Sequence, residues 1–90
     1  MLSETLHELK CESRFFVEVL DGSKTFEVRK NDRCFQKGDR VKLRELASPR
    51  IGGVENNGYT GRSLDFAIGF VYPLDDGRVV FSLVKDRMGQ

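Results

Sequence analysis

The feature that most constrains this 90-residue chain lies near its C-terminal end, where two apolar runs flank an Asp-Gly pair. Across residues 62–72, Leu64, Phe66, Ile68, Phe70 and Tyr72 recur at every second position. Side chains of an extended strand alternate between faces, so this spacing places all of them on one side of a sheet. Asp76-Gly77 is a strong hairpin signal, because such pairs supply the positive-φ positions of a tight turn. The chain then returns through residues 78–85. There Val79, Val80, Phe81, Leu83 and Val84 leave little polar face, which predicts a strand inside the sheet rather than at its edge.

The remainder of the chain reads in the same terms. Residues 6–11 form a short first strand with His7, Leu9 and Cys11 on one face. Ser13 is a suitable helix N-cap, Phe16, Val19 and Leu20 follow at helical spacing, and Gly22 ends a helix expected over residues 13–21. Residues 25–30 alternate, with Phe26 and Val28 as the apolar face. Asn31-Asp32 and Gly38-Asp39 are turn chemistry, and Phe35 between them is expected to point back to the core. A strand over residues 40–46 has Val41 and Leu43 inward. Residues 47–58 contain Pro49, Gly52, Gly53, Asn56, Asn57 and Gly58, and are expected as a flexible loop. Residues 86–90 are expected to fray. The predicted fold is mainly β with one or two short helices, a small closed or nearly closed barrel forming a single domain over residues 1–90.

Composition narrows the function classes. Leu2 and Leu6 are separated by polar residues, so no apolar signal core is present, and no run is long enough for a membrane helix. Cys11 and Cys34 are too few for a disulfide framework and have no metal-motif spacing; with His7 as the one histidine, no metal site and no cofactor are expected. Two reduced thiols point to a cytoplasmic protein. The net charge of +1 does not by itself call for a polyanion. Its distribution is uneven: from Lys24 to Arg44 eight basic residues face three acids, a local +5, against −4 elsewhere. That imbalance suits either a phosphate-facing surface or a charged, aggregation-resistant strand edge.

The segment Gly22-Ser23-Lys24-Thr25-Phe26-Glu27-Val28-Arg29 carries most of the chemistry. Parity puts Thr25, Glu27 and Arg29 on one face, where a carboxylate and a guanidinium can pair or present donors and acceptors to a flat polar ligand. Lys24 stands at the mouth of the same strand. Lys30, Asn31 and Arg33 follow in a polar turn, with Arg33 a candidate phosphate contact and Asn31 a candidate base reader. Glu45 shares parity with Val41 and Leu43. It must therefore either be turned out by a bulge at Arg44 or meet a cation, with Lys24, Arg29 and His7 as candidates. Tyr59 can stack on a base, with Arg62 beside it. His7 is expected to be a satisfied structural residue.

These residues carry a resemblance. The runs His7 to Lys10, Gly22 to Arg33, Gly38-Asp39, Leu43 to Glu45 and Tyr59 to Arg62 resemble, in order, a family of small prokaryotic and phage ASCH-like domains (activating signal cointegrator homology). ASCH domains are similar to PUA domains, which are RNA-binding barrels. The resemblance implies a Gly-x-Lys-x-x-Glu-x-Arg motif at Gly22, Lys24, Glu27 and Arg29, lining a cleft by the helix where RNA binds. Residues 51–58 depart from the family as an insertion. The leading expectation is an RNA- or nucleotide-binding module using Lys24, Glu27, Arg29, Lys30, Asn31, Arg33, Tyr59 and Arg62. The alternative is a small amidohydrolase acting on acetylated cytidine, with Lys24, Thr25 and Glu45 as its residues. That enzyme motif runs Gly-x-Lys-x-x-Thr, and Glu27 stands in place of the threonine.

Overall fold

A computed structural model describes residues 5–47 and 58–85. The expected loop at 47–58, apart from its end residues, and the expected tail at 86–90 lie outside the described residues. The elements run β1 (Leu6–Glu12), α1 (Ser13–Leu20), β2 (Phe26–Lys30), β3 (Arg40–Leu46), β4 (Tyr59–Pro73) and β5 (Arg78–Lys85). All five expected strands and the single helix are present. They form one mixed sheet of order β1-β3-β4-β5-β2, curled into a half-barrel. β1 pairs with β3 in parallel, and the other neighbours are antiparallel. Among the described residues no helix is long and apolar enough to cross a membrane.

The concave face of the sheet holds the core. His7, Leu9 and Cys11 of β1 and Val41, Leu43 and Glu45 of β3 alternate inward. β5 adds Val79 and Phe81 from an interior position between β4 and β2. α1 follows β1 without a connecting loop and lays Phe16 and Val19 over one end of this face. Leu20, expected in the same stripe, is half exposed. At another point Phe35, in the connection between β2 and β3, plugs the core. Its ring stands 4.6 Å from His7 and 4.9 Å from Phe81, centroid to centroid.

Three local expectations are corrected. Glu12, not Ser13, is the residue before the helix, and neither caps it through a side chain; the Ser13 hydroxyl goes elsewhere. In β4, pairing with β5 shifts register between Ile68 and Val71. This irregularity keeps Ile68 buried and turns Phe70 and Tyr72 outward, to 64% and 57% exposure. In β2 the faces are reversed. Phe26 and Val28 are exposed, whereas Glu27 is 4% exposed. Parity assigned the two faces correctly, but the polar one points into the half-barrel.

Candidate functional site

The two edge strands, β1 and β2, face each other across the open side of the half-barrel. Between them lies a cleft of about 380 Å³. Its placement begins at the helix end. Gly22 takes φ +88°, a left-handed turn that suits glycine, and its N–H donates to the Val19 carbonyl at 3.1 Å. Asp21 accepts from the Ser23 N–H at 2.8 Å, and the Ser23 side chain, then this N–H, hold its carboxyl below the usual range. The Lys24 N–H then donates to the Glu18 carbonyl at 2.9 Å, tying Lys24 to the last helical turn.

Pairing of β2 with β5 sets Glu27 and Arg29 on the concave side. Lys24 Nζ donates to Glu27 Oε2 at 2.8 Å and to the Phe26 carbonyl at 2.7 Å. Arg29 Nε donates to Glu27 Oε1 at 3.0 Å, and its Nη2 reaches the Lys10 carbonyl of β1 at 2.7 Å. Each carboxylate oxygen thus has its own cation, which is what makes a buried Glu27 tolerable. The side chains of Lys24 and Arg29 remain 19% and 26% exposed, so both cations still reach the cleft. Further along the same seam, Arg33 Nη1 donates to the Glu8 carbonyl at 3.0 Å.

Glu45 forms a second cluster. It is 3% exposed and points inward, as alternation required, while the β3–β4 register shifts between Arg44 and Leu46. Its cation is Arg62, not Lys24, Arg29 or His7. Arg62 Nε and Nη2 donate to the two carboxylate oxygens at 2.8 and 3.0 Å. The Thr60 hydroxyl adds 2.7 Å and the Ser13 hydroxyl 2.5 Å. Arg62, then the two hydroxyls, hold the Glu45 carboxyl down at about 2 against the opposing effect of burial. Cys11 pairs with Glu45 in the β1–β3 register and also lines the cleft beside Glu27. Burial, and then the nearby Glu27 carboxylate, push its thiol up to about 11.

The other expected residues divide between these places. Lys30 lies on the outward face of β2, opposite Glu27 and Arg29 in parity. Asn31 is exposed at the strand end, its N–H donating to the Gly77 carbonyl at 3.0 Å. Thr25 is exposed. Tyr59 carries the Arg44 guanidinium 3.8 Å from its ring centroid and pairs with Leu46, in the β3–β4 region that holds Glu45 and Arg62. The basic window is therefore not one surface. Lys24, Arg29 and Arg33 follow the seam, whereas Lys42 meets Asp65 and Arg44 meets Glu8. His7 meets Asp39 at 2.8 Å in the core. Both cysteines are free, Cys11 buried and Cys34 exposed.

Phe15 was not singled out from the sequence. It lines the cleft at 41% exposure, with the Arg14 guanidinium 4.6 Å and the Lys24 ammonium 5.9 Å from its ring centroid. The signal was present: Phe15 and Phe16 are adjacent, and a helix with one buried face cannot hide both.

Residues 6–83 match the family described as a domain of unknown function, DUF3850. The chain is also 33% identical over 85 residues to an uncharacterised 12.9 kDa protein in the GpA 3′ region of Escherichia phage P2, a match spanning 94% of this chain and 71% of the phage protein. With most of its length matched by the family and a relative at this identity, the chain belongs to the DUF3850 family.

Proposed function

We propose that this domain binds RNA or a nucleotide in the cleft between β1 and β2. The observation that carries the reading is the arrangement around Glu27: an ammonium and a guanidinium, both partly exposed, held in place by a buried carboxylate beside the exposed Phe15 ring. Fixed cations suit phosphate oxygens, and an accessible aromatic face suits a base. Lys24 spends two of its three donors inside the protein, and Arg29 retains Nη1. The curled sheet, with its cleft beside Lys24, Glu27 and Arg29, fits the ASCH/PUA-like resemblance. Two free thiols fit a reducing cytoplasm.

The hydrolytic alternative draws less support. Glu45 has a low-lying carboxyl already engaged by three donor side chains, which makes it a poor proton carrier near neutral pH. The test of the binding reading is affinity for a single-stranded RNA oligonucleotide over a salt series, for wild type and Arg29→Ala. Affinity should fall with salt on a modest slope, and Arg29→Ala should weaken binding and reduce that slope by about one. Absence of binding by wild type at low salt, or an unchanged slope in the variant, would sink the reading.

A further inference from the structure

The outer surface of the sheet divides in two. Toward β1 and β3 it is charged: Lys42 meets Asp65 and Arg44 meets Glu8. Across β2, β5 and β4 it is apolar. Register sets Val28, Val80 and Tyr72 side by side in one row over the three strands. In the next row Phe26 stands opposite Ser82, whose hydroxyl accepts from the Phe70 N–H at 2.9 Å. Val84 follows on β5, its side chain over Gly69 of β4. Phe26, Val28, Phe70, Tyr72 and Val84 are 37–64% exposed. Among the described residues no charged side chain stands within these rows. Charge begins at the borders, with Lys30 opposite Arg78 at one end and Lys24 beside the Phe26 ring at the other.

A contiguous face of this kind calls for a partner surface of matching apolarity, because it offers no ion and few hydrogen bonds to a polar one. We propose that it is the interface between two copies of this chain, a two-fold dimer in which the outer β2-β5-β4 faces pack on each other. The extent fits. With a whole aromatic side chain covering about 150–250 Å², the five exposed side chains together hide about 500 Å² per copy. A standard interface hides about 800 Å² per partner, and homodimer interfaces are about 65% apolar, which asks for about the same 500 Å². The shape fits as well. The middle strand, β5, carries the short Val80, Ser82 and Val84, whereas its neighbours carry the long Phe26, Phe70 and Tyr72. Long side chains at the flanks fill the gap where two curled sheets bend away from each other. Single-stranded nucleic acid is a poorer occupant. Among the described residues Lys30 is the border cation with no acidic partner, while Arg78 and Lys24 are held by Asp76 and Glu27. The dimer braces β2, the edge strand whose other face carries Glu27 and Arg29, and the inference stands apart from what the cleft binds.

Sedimentation velocity on the full chain, from low to high micromolar concentration, measures the assembly. Wild type should pass from the mass of one chain to that of two. The double variant Phe70→Glu, Tyr72→Glu, at exposed positions, should stay a monomer throughout while keeping the far-UV circular dichroism of wild type, because carboxylates from both copies would meet in a desolvated interface. The interface is also mapped without any substitution. In a mixture of isotope-labelled and unlabelled wild-type chains, intermolecular nuclear Overhauser contacts should join Val28, Val80 and Tyr72 of one copy to the apolar rows of the other. A wild type that stays monomeric, a dimer that the double variant leaves intact, or contacts that fall on the charged half of the sheet would overturn the proposal. A monomer whose affinity for single-stranded RNA drops in the double variant would overturn it too, and give the face to stacked bases instead.

Discussion

At the scale of single residues, the two buried glutamates show how a carboxylate is accommodated inside a small barrel. Glu27 is held by Lys24 and Arg29, both within two or three positions of it in sequence. The partners of Glu45 come from two segments distant in sequence: Ser13 at the helix start, and Thr60 and Arg62 in β4. The depressed Glu45 carboxyl has a definite consequence for pH dependence. Its folded value of about 2 lies below its ordinary 4.5, so the stabilisation is fully present above about 4.5 and is lost as pH falls through 2. Glu45→Gln should therefore be less stable than wild type at pH 7, by about 1–2 kcal/mol once solvent screening by the half-exposed Arg62 is allowed for. The gap should close between pH 4.5 and 2. Urea titrations of both proteins across that range check this; a gap independent of pH would mean that the charge of Glu45 is not what stabilises. The inward parity of Glu45 was legible in the alternation of Val41, Leu43 and Glu45. Its partner was not, because strand periodicity carries no information about which distant cation closes the pair.

At the scale of elements, β4 is where pattern and structure part. Five apolar residues at period two read as one continuous face, yet only the first three keep to the concave side. The irregularity after Ile68 is built around Gly69 and a hydrogen bond from the Phe70 N–H to the Ser82 hydroxyl at 2.9 Å. A Cβ on Gly69 would meet Val84 Cγ2 at 2.5 Å and Ser82 Oγ at 2.6 Å. Gly69→Ala is expected to destabilise by about 1–3 kcal/mol, the usual cost of overpacking a fitted position. The triple change Gly69→Ala with Ser82→Ala and Val84→Ala should recover part of that loss. Thermal unfolding of the variants measures it, and an alanine at 69 tolerated without loss would show that the strands separate freely there. A glycine inside a strand pattern was the available sequence signal for such a bulge.

At the scale of the whole molecule, curvature makes the site. The sheet leaves two edges, and the curl brings them face to face across a cleft bridged by arginine side chains. Arg29 and Arg33 each donate from the β2 side to a carbonyl of β1, at 2.7 and 3.0 Å, occupying part of an edge that would otherwise be open to another chain. Each latch should contribute about 1 kcal/mol, close to a fivefold change in local opening. The double variant Arg29→Ala, Arg33→Ala should lose hydrogen-exchange protection at β2 amides while β3 and β4 keep theirs. A uniform loss across the sheet would show that the seam does not open as a separate unit.

The sequence by itself determined where the strands, the helix and the main turns lie, because period-two alternation, helical spacing, Gly22 and Asp76-Gly77 act through neighbours along the chain. It also determined that Glu27 and Arg29 share a face beside Lys24. Only the tertiary structure decided that this polar face is the buried one, with Phe26 and Val28 left outside. Alternation separates two faces but does not say which is enclosed; that depends on the curl of the sheet, on the β1 edge brought opposite β2, and on whether two cations can neutralise a carboxylate once it is inside.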